Sequence, residues 1–398
     1  MVRLMRRLCF SMLLCSLTFA APPWAAAQAP AKPAAPPPDK DVLVFSNGDT
    51  LTGTFERSTG ANVTFKSDMA GEITIGWDKI KELKAAGRYA VLESGFKTKS
   101  SRKLNDARIP QGTVTMTDQT VTVQGDAGPP TTVATKDTEF IIDNQSYEKE
   151  LRGHPGLFSD WNGALTGGAT LVYATQNSQT FTGAVNLVRL VPNVSWLDPR
   201  SRDTVNVLET YGKVTQPNVD APDTVTKTSI FHADAEHDLY FSPRAYGLVN
   251  TSFDHNYSQG LSLQQIYGVG IGLTVVKDAK QELDVKAQVQ YEAQSFQVIP
   301  GSAVGTLPNP DTNLIGGTFA ENYFRKLKHV TFNEQLQLIP AFNSVQDFSV
   351  VGQAGLVFPV YKRLSFSVNS LDTYLGDPQS GAKRNSFQFI TGITYTLK

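Results

Sequence analysis

Between Leu283 and Ala293 every odd position is apolar: Leu283, Val285, Ala287, Val289, Tyr291 and Ala293. Every even position from Glu282 to Gln294 is polar: Glu282, Asp284, Lys286, Gln288, Gln290, Glu292 and Gln294. A period of two sends these sets to opposite faces of an extended strand. One whole face must then be removed from water, either against a packed core or against lipid. Beyond the N-terminus no run of roughly eighteen apolar residues occurs, which argues against transmembrane helices and leaves strands as the only route through a bilayer.

The same pattern recurs. Tyr267, Val269, Ile271, Leu273 and Val275 alternate with Gly268, Gly270, Gly272 and Thr274. Leu165, Gly167, Ala169, Leu171 and Tyr173 alternate with Thr166, Gly168 and Thr170, and Phe387, Phe389, Thr391, Ile393, Tyr395 and Leu397 share a face. Roughly twelve such segments follow Trp161, an even number as single-chain membrane barrels require. Their cores read as 161–173, 181–195, 204–214, 225–241, 245–255, 261–276, 281–295, 314–325, 330–340, 347–360, 364–374 and 386–397.

Alternate connections are short and charged: Arg200-Ser201-Arg202-Asp203, Ser242-Pro243-Arg244, Lys277-Asp278-Ala279-Lys280, Lys326-Leu327-Lys328 and Lys362-Arg363. The others, such as 216–223, 297–313 and 376–383, are longer and richer in Gly, Pro and Asn. Short turns at one end and long loops at the other match a membrane barrel. Many of the segments reach ten or more residues, longer than the usual soluble strand and enough for a tilted crossing. A soluble secreted sandwich that binds a ligand or partner is the alternative, because alternation alone does not say which face meets water.

Met1 to Ala27 reads as a secretory signal: Arg3, Arg6 and Arg7, an apolar stretch from Leu8 to Ala20, and the small residues Ala25-Ala26-Ala27. Both cysteines, Cys9 and Cys15, lie inside it, so the mature chain is expected to have no disulfide and no thiolate chemistry. Cleavage shifts the formal charge from −1 to −4 (−1 minus the three arginines). With 36 basic and 37 acidic residues in the full chain, no nucleic-acid partner is indicated. Residues 28–40 form a Pro/Ala-rich linker.

Residues 41–145 read as a small SH3-like β module. Asn47-Gly48-Asp49 marks a turn, and Leu51 to Phe55, Val63 to Phe65 and Ile73 to Ile75 are β-type. Gly53 to Phe65 resembles Gly112 to Val123, and Ile73 to Leu83 resembles Thr132 to Ile142, which suggests two related units. Trp77 and the Asn47-Gly48 turn are candidate surface features of a binding module, the alternative for Trp77 being a place in the core. Lys97, Lys99, Arg102, Lys103 and Arg108 between the units read as a patch for anions or a solvated loop.

At these motifs the chain resembles the YdiY-like family of salt-induced bacterial outer-membrane proteins, a family of unknown function. The resemblance is carried by Asn47 to Gly53, Ala70 to Trp77, Trp161-Asn162-Gly163, Phe231 to Glu236, Tyr240 to Arg244, Phe253 to Asn256, Gln259 to Leu261, Gln264 to Gly268, and Asn385 to Phe389. It implies an all-β protein, a transmembrane β-barrel over 158–398 in the cell outer membrane of a Gram-negative envelope, with the N-terminal module in the periplasm. It brings no reaction and no agreed site residues. Many such barrels end in an aromatic residue read by the barrel-assembly machinery; this chain departs from that pattern and ends Tyr395-Thr396-Leu397-Lys398.

Polar side chains on the strands are the candidate lumen lining: His232, Asp234, Glu236 and Asp238 on one, Glu282, Asp284, Lys286 and Glu292 on another. The first four share a face and could bind a divalent cation, or they simply line a wet wall. His255, Asn256 and Ser258 are the residues of a conceivable barrel-borne hydrolase, although no lipase signature surrounds them. The sequence also holds His154, His237 and His329, with no zinc, phosphate-loop or dinucleotide motif. The expectation is therefore no enzyme and no cofactor, but a passive channel or envelope structural protein. Its expected partners are outer-membrane lipid, the barrel-assembly machinery and a periplasmic partner reached through the N-terminal module.

Overall fold

A computed structural model of the chain describes residues 40–95, 109–126, 128–153, 156–173, 177–216, 222–298, 305, 307–308, 310–378 and 383–397. The segments expected to be a signal and a linker before Lys40, the basic stretch 97–108 and His154 lie outside the described residues.

The N-terminal part is one nine-stranded antiparallel sheet. Its strands are β1 (Asp41–Phe45), β2 (Thr50–Thr59), β3 (Asn62–Ser67), β4 (Gly71–Gly76), β5 (Ile80–Glu93), β6 (Gln111–Thr117), β7 (Thr120–Gln124), β8 (Thr131–Ala134) and β9 (Thr138–Asp143). The order is β4-β3-β2-β1-β5-β6-β7-β8, and β9 pairs with both β2 and β5. With the β1–β2 and β1–β5 pairings, this closes β1, β2, β9 and β5 into a ring.

Two copies of one local plan are visible. Single 3-10 turns, Trp77–Lys79 and Thr135–Asp137, precede β5 and β9. The Trp77 N–H bonds the Ala61 carbonyl at 3.0 Å, and the Thr135 N–H bonds the Gln119 carbonyl at 2.9 Å. Gly53 and Gly112 occupy equivalent places. A Cβ there would lie 2.1 Å from the Lys66 carbonyl oxygen and 2.0 Å from that of Gln124, so only glycine lets the next strand approach. Trp77 is buried among Leu43, Phe55, Phe65 and Leu83, and its indole N–H donates to Ser58 at 3.1 Å. It is a core residue, not a surface feature; Asn47 and Gly48 remain exposed.

The second part is a closed antiparallel barrel of twelve strands. These are β10 (Trp161–Tyr173), β11 (Asn177–Val191), β12 (Ser201–Gln216), β13 (Thr224–Tyr240), β14 (Ala245–Asn256) and β15 (Leu261–Lys277), then β16 (Gln281–Phe296), β17 (Thr312–Lys326), β18 (Thr331–Ile339), β19 (Ser349–Tyr361), β20 (Leu364–Leu375) and β21 (Asn385–Thr396). Closure comes from β21 against β10, Ala164 to Gly167 pairing with Thr396 to Ile393. Closure gives every barrel strand a partner on both sides, which is how a sheet avoids an open edge strand in a bilayer.

Each strand expected from the alternation is present, with one shift. The second runs Asn177–Val191 rather than 181–195, and Ser201, Arg202 and Asp203 belong to β12 rather than to a turn. Arg202 and Asp203 are charged on both faces, which breaks the alternation and imitates a loop.

A helical segment, Asn144–Arg152, follows β9 and carries the module past residue 145. Its Tyr147 and Leu151 form one apolar cluster with Ala90, Leu92, Ile142 and, from the β11–β12 connection, Leu197. Arg200 donates to the carbonyls of Leu151 (3.0 Å) and Glu150 (3.2 Å), and the Asn193 N–H donates to the Glu150 carboxylate at 2.9 Å. These contacts hold the module to the barrel end that bears the short connections.

Candidate functional site: the lumen of the barrel

The ring decides which strand face meets what. Val249, Val269 and Val289, paired across β14, β15 and β16, point outwards and are 57%, 55% and 59% exposed. Phe181, Tyr211, Phe253, Tyr267, Tyr291 and Phe389 point the same way. The polar sets point inwards. A protein that is apolar outside and polar inside is an inverted soluble barrel, and lipid is the solvent that stabilises it. A sandwich core does not exist here.

The lumen contains a cavity of about 610 Å³ lined from all twelve strands. Its two sides differ. One side is neutral, with Asn333, Gln335, Gln337, Gln353, Ser367 and Asn369. The other, from β12 to β16, is charged. There His232, Asp234, Glu236, Glu282, Asp284 and Lys286 line the cavity. The remaining two candidates, Asp238 and Glu292, share the inner face but are buried behind it.

Arg202 organises this wall. Its Nε donates to Asp238 at 2.7 Å, and one terminal nitrogen lies 2.7 Å from Asp284 and 3.5 Å from Glu282. The guanidinium sits 4.9 Å from the Tyr246 ring centre and 5.9 Å from that of Tyr240. Asp284 also accepts from Thr274 at 2.6 Å. Lys286 contacts Glu236. Tyr246 occupies the space over Gly272, while Asn250 and Gln288 fold over Gly268. The glycine row of β15 thus provides the room that large side chains of β14 and β16 fill.

Farther along, His232 is bound on both ring nitrogens, to Asp254 (2.5 Å) and Asp234 (2.8 Å). Asn206 donates to Asp234 at 3.0 Å. Glu292 accepts from Gln294 at 2.6 Å and also from Gln264. The carboxylates are distributed over separate ion pairs and amide contacts. Among the described residues no group of three or more His, Cys, Asp or Glu is arranged to hold a metal ion, so His232, Asp234, Glu236 and Asp238 do not converge on one cation.

His255, Asn256 and Ser258 do not assemble either. Ser258 donates to Asn256 at 2.5 Å, while His255 turns outwards to Ser229 at 2.8 Å and stacks on Tyr257. The residue that sequence reasoning missed is Arg202. Its only signal was an arginine at a strand end whose parity places it opposite Asp238.

The sequence profile of a family described as "Protein of unknown function, DUF481" matches residues 166–397, essentially the barrel. The chain belongs to this family. Comparison with curated proteins gives no match. Among solved structures, the translocator domain of the autotransporter NalP from Neisseria meningitidis is similar at 11% identity and a TM-score of 0.33, over 59% of this chain and 87% of that one. The beta domain of the Bordetella autotransporter Brka aligns at 11% identity and a TM-score of 0.29, over 59% and 97%. The low-pH structure of Pseudomonas putida OprB aligns at 8% identity and a TM-score of 0.23, over 60% and 90%. The barrel assignment itself rests on the closed strand pairing of this DUF481 member.

Proposed function

We propose that this DUF481 protein crosses the outer membrane and gives small hydrophilic solutes a passive path through its lumen, with a preference for cations. The observation that carries this reading is the lumen charge. Asp234, Glu236, Asp238, Asp254, Glu282, Asp284 and Glu292 face inwards, against the permanent cations Arg202 and Lys286. Low-dielectric walls focus such an excess into a field that concentrates cations.

Two observations support a periplasmic position for the module. It is held by the 192–200 connection, and the other connections at that end, 241–244, 278–280, 327–330 and 362–363, are short. Short turns are the periplasmic ones in barrels of this kind. The module edge strands β4 and β8 are then available to a periplasmic partner, and the barrel reaches its membrane through the assembly machinery. Planar-bilayer recording in a salt gradient tests the reading. A reversal potential of the sign for cation flow is expected, and anion preference overturns it. A silent, correctly folded barrel favours a structural role in the envelope.

A further inference from the structure

Eleven of the twelve barrel ladders run for eight or more residue pairs. The twelfth, which closes the ring, has four: Ala164–Thr396, Leu165–Tyr395, Thr166–Thr394 and Gly167–Ile393. The Thr166 and Thr394 hydroxyls lie 2.9 Å apart, and Thr394 donates to Ser367 at 3.0 Å, which latches this part. The same register would next match Gly168 with Gly392, two residues with no side chain to support a pair. The ladder stops there. From Gly168 to Tyr173, β10 pairs with β11 alone, and from Phe387 to Gly392, β21 pairs with β20 alone.

Two strand edges of six residues each are therefore left without their mutual partner, at the end of the barrel away from the module. Roughly half of the backbone groups in each edge aim at the neighbour that is missing. Ala169, Phe387 and Phe389 are exposed on the outer face of these stretches, so the edges stand at the level of lipid. Bare amides are costly in hydrocarbon, and barrels close to avoid them. On the inner side the lumen cavity reaches the seam, where Ala164, Thr166, Ile390 and Thr394 line it. Gln388, also on the inner face, has an amide oxygen that is buried without a hydrogen-bond partner.

We propose that this half of the seam takes up an extended segment of a client polypeptide as an added strand. An acyl chain has no donors or acceptors for the two edges, whereas a strand has both at the matching repeat. Six residues span roughly 20 Å at about 3.3 Å each. The segment is apolar on the face beside Phe387 and Phe389 and polar on the other, where a side-chain donor completes Gln388. That is the pattern of a transmembrane β-strand. The site goes beyond conduction and rests only on the membrane reading of the barrel.

The test uses the full chain folded in phosphatidylcholine vesicles, with Cys9→Ser and Cys15→Ser removing the only native cysteines. Leu165→Cys with Tyr395→Cys lies in the paired part and is expected to oxidise fully. Ala169→Cys with Thr391→Cys sits on the same face farther up the seam and is expected to stay reduced. The probe is a lysine-flanked peptide of alternating valine and threonine carrying one cysteine, beside a peptide of the same composition with its valines in one block. The alternating peptide is expected to cross-link to Ala169→Cys and the block peptide is not. Gln388→Leu should lower that yield about fivefold, the worth of one hydrogen bond. Amide exchange of the wild type gives a readout that needs no substitution: 168–173 and 387–392 should exchange fast and become protected when the alternating peptide is added. Full oxidation of the Ala169→Cys, Thr391→Cys pair means a zipped seam and overturns the site. Equal capture of both peptides overturns strand addition. Cross-linking between two copies of Ala169→Cys in preference to the peptide makes the edge a self-interface and overturns the client. Failure of the wild type to insert removes the membrane reading and this site together, whereas peptide capture by an inserted but non-conducting barrel removes the channel reading alone and supports the site.

Discussion

Val269 is the middle residue of β15, and its partner Val289 lies at the middle of β16. Both face outwards, so Val269→Arg would put a guanidinium near the bilayer midplane. On the lipid face of a membrane barrel this costs about 2–4 kcal/mol. An exposed position of a water-soluble protein would change by only about 0.5 kcal/mol. The two environments thus differ by about 1.5–3.5 kcal/mol, roughly 10- to 300-fold in the folding equilibrium at about 1.4 kcal/mol per tenfold. The control is Gln288→Arg, on the adjacent inward position that lines the cavity. There the new charge meets water and carboxylates, and a change under about 1 kcal/mol is expected, since lumen substitutions tune selectivity more than stability. The assay is reversible urea unfolding in phospholipid vesicles, followed by tryptophan fluorescence. If Val269→Arg proves as mild as Gln288→Arg, the assignment of faces is wrong and the membrane reading falls with it.

Other outcomes follow from the ion pairs and the junction. Arg202→Met strands Asp238, whose side chain is fully buried, and Asp284 without their cation, and should cost about 3–5 kcal/mol in the same unfolding assay; adding Asp238→Asn should recover part of the loss. Glu282→Gln removes a lining carboxylate and should move the bilayer reversal potential towards zero. Trp196→Ala removes the ring that packs on Phe140 and under Arg57, so the module should loosen from the barrel by roughly 2–3 kcal/mol and show new protease cuts between residues 144 and 200. Burial and the nearby Asp41 raise the Tyr89 phenol above its usual range. The folded state therefore holds that proton more tightly than the unfolded chain, and the stability it contributes is complete below about pH 10 and declines above it. Tyr89→Phe should flatten that alkaline decline while losing about 1 kcal/mol from the bond to the Phe55 carbonyl, as seen in pH-dependent unfolding of the full chain.

Much of the fold was legible because strand periodicity is a local property. Leu283 to Ala293 declares a strand whatever surrounds it, and twelve such segments were countable. The shared plan around Gly53 and Gly112 was likewise visible as a faint repeat. The exceptions have separate local causes. Ser201 to Asp203 imitates a turn in sequence because Arg202 and Asp203 make both faces polar at the start of β12. The helical segment 144–152 was overlooked because its apolar residues, Tyr147 and Leu151, cover a neighbouring loop rather than mark a long amphipathic helix.

By itself the sequence determined the strands, their number and the division of each into an apolar and a polar face. It could not say which face points outwards, because a period of two reads the same when a sheet is turned over. Closure of β21 on β10 settled that, giving every strand an inside and an outside. Closure also created the site. His232 and Asp254 meet across neighbouring strands, and Arg202 reaches past Asp238 to Asp284 on β16, more than eighty residues along the chain. Such contacts depend on register and curvature, which no stretch of sequence carries alone. The alternation that constrained the chain to strands acquired its meaning only when the ring placed one face in lipid and the other around water.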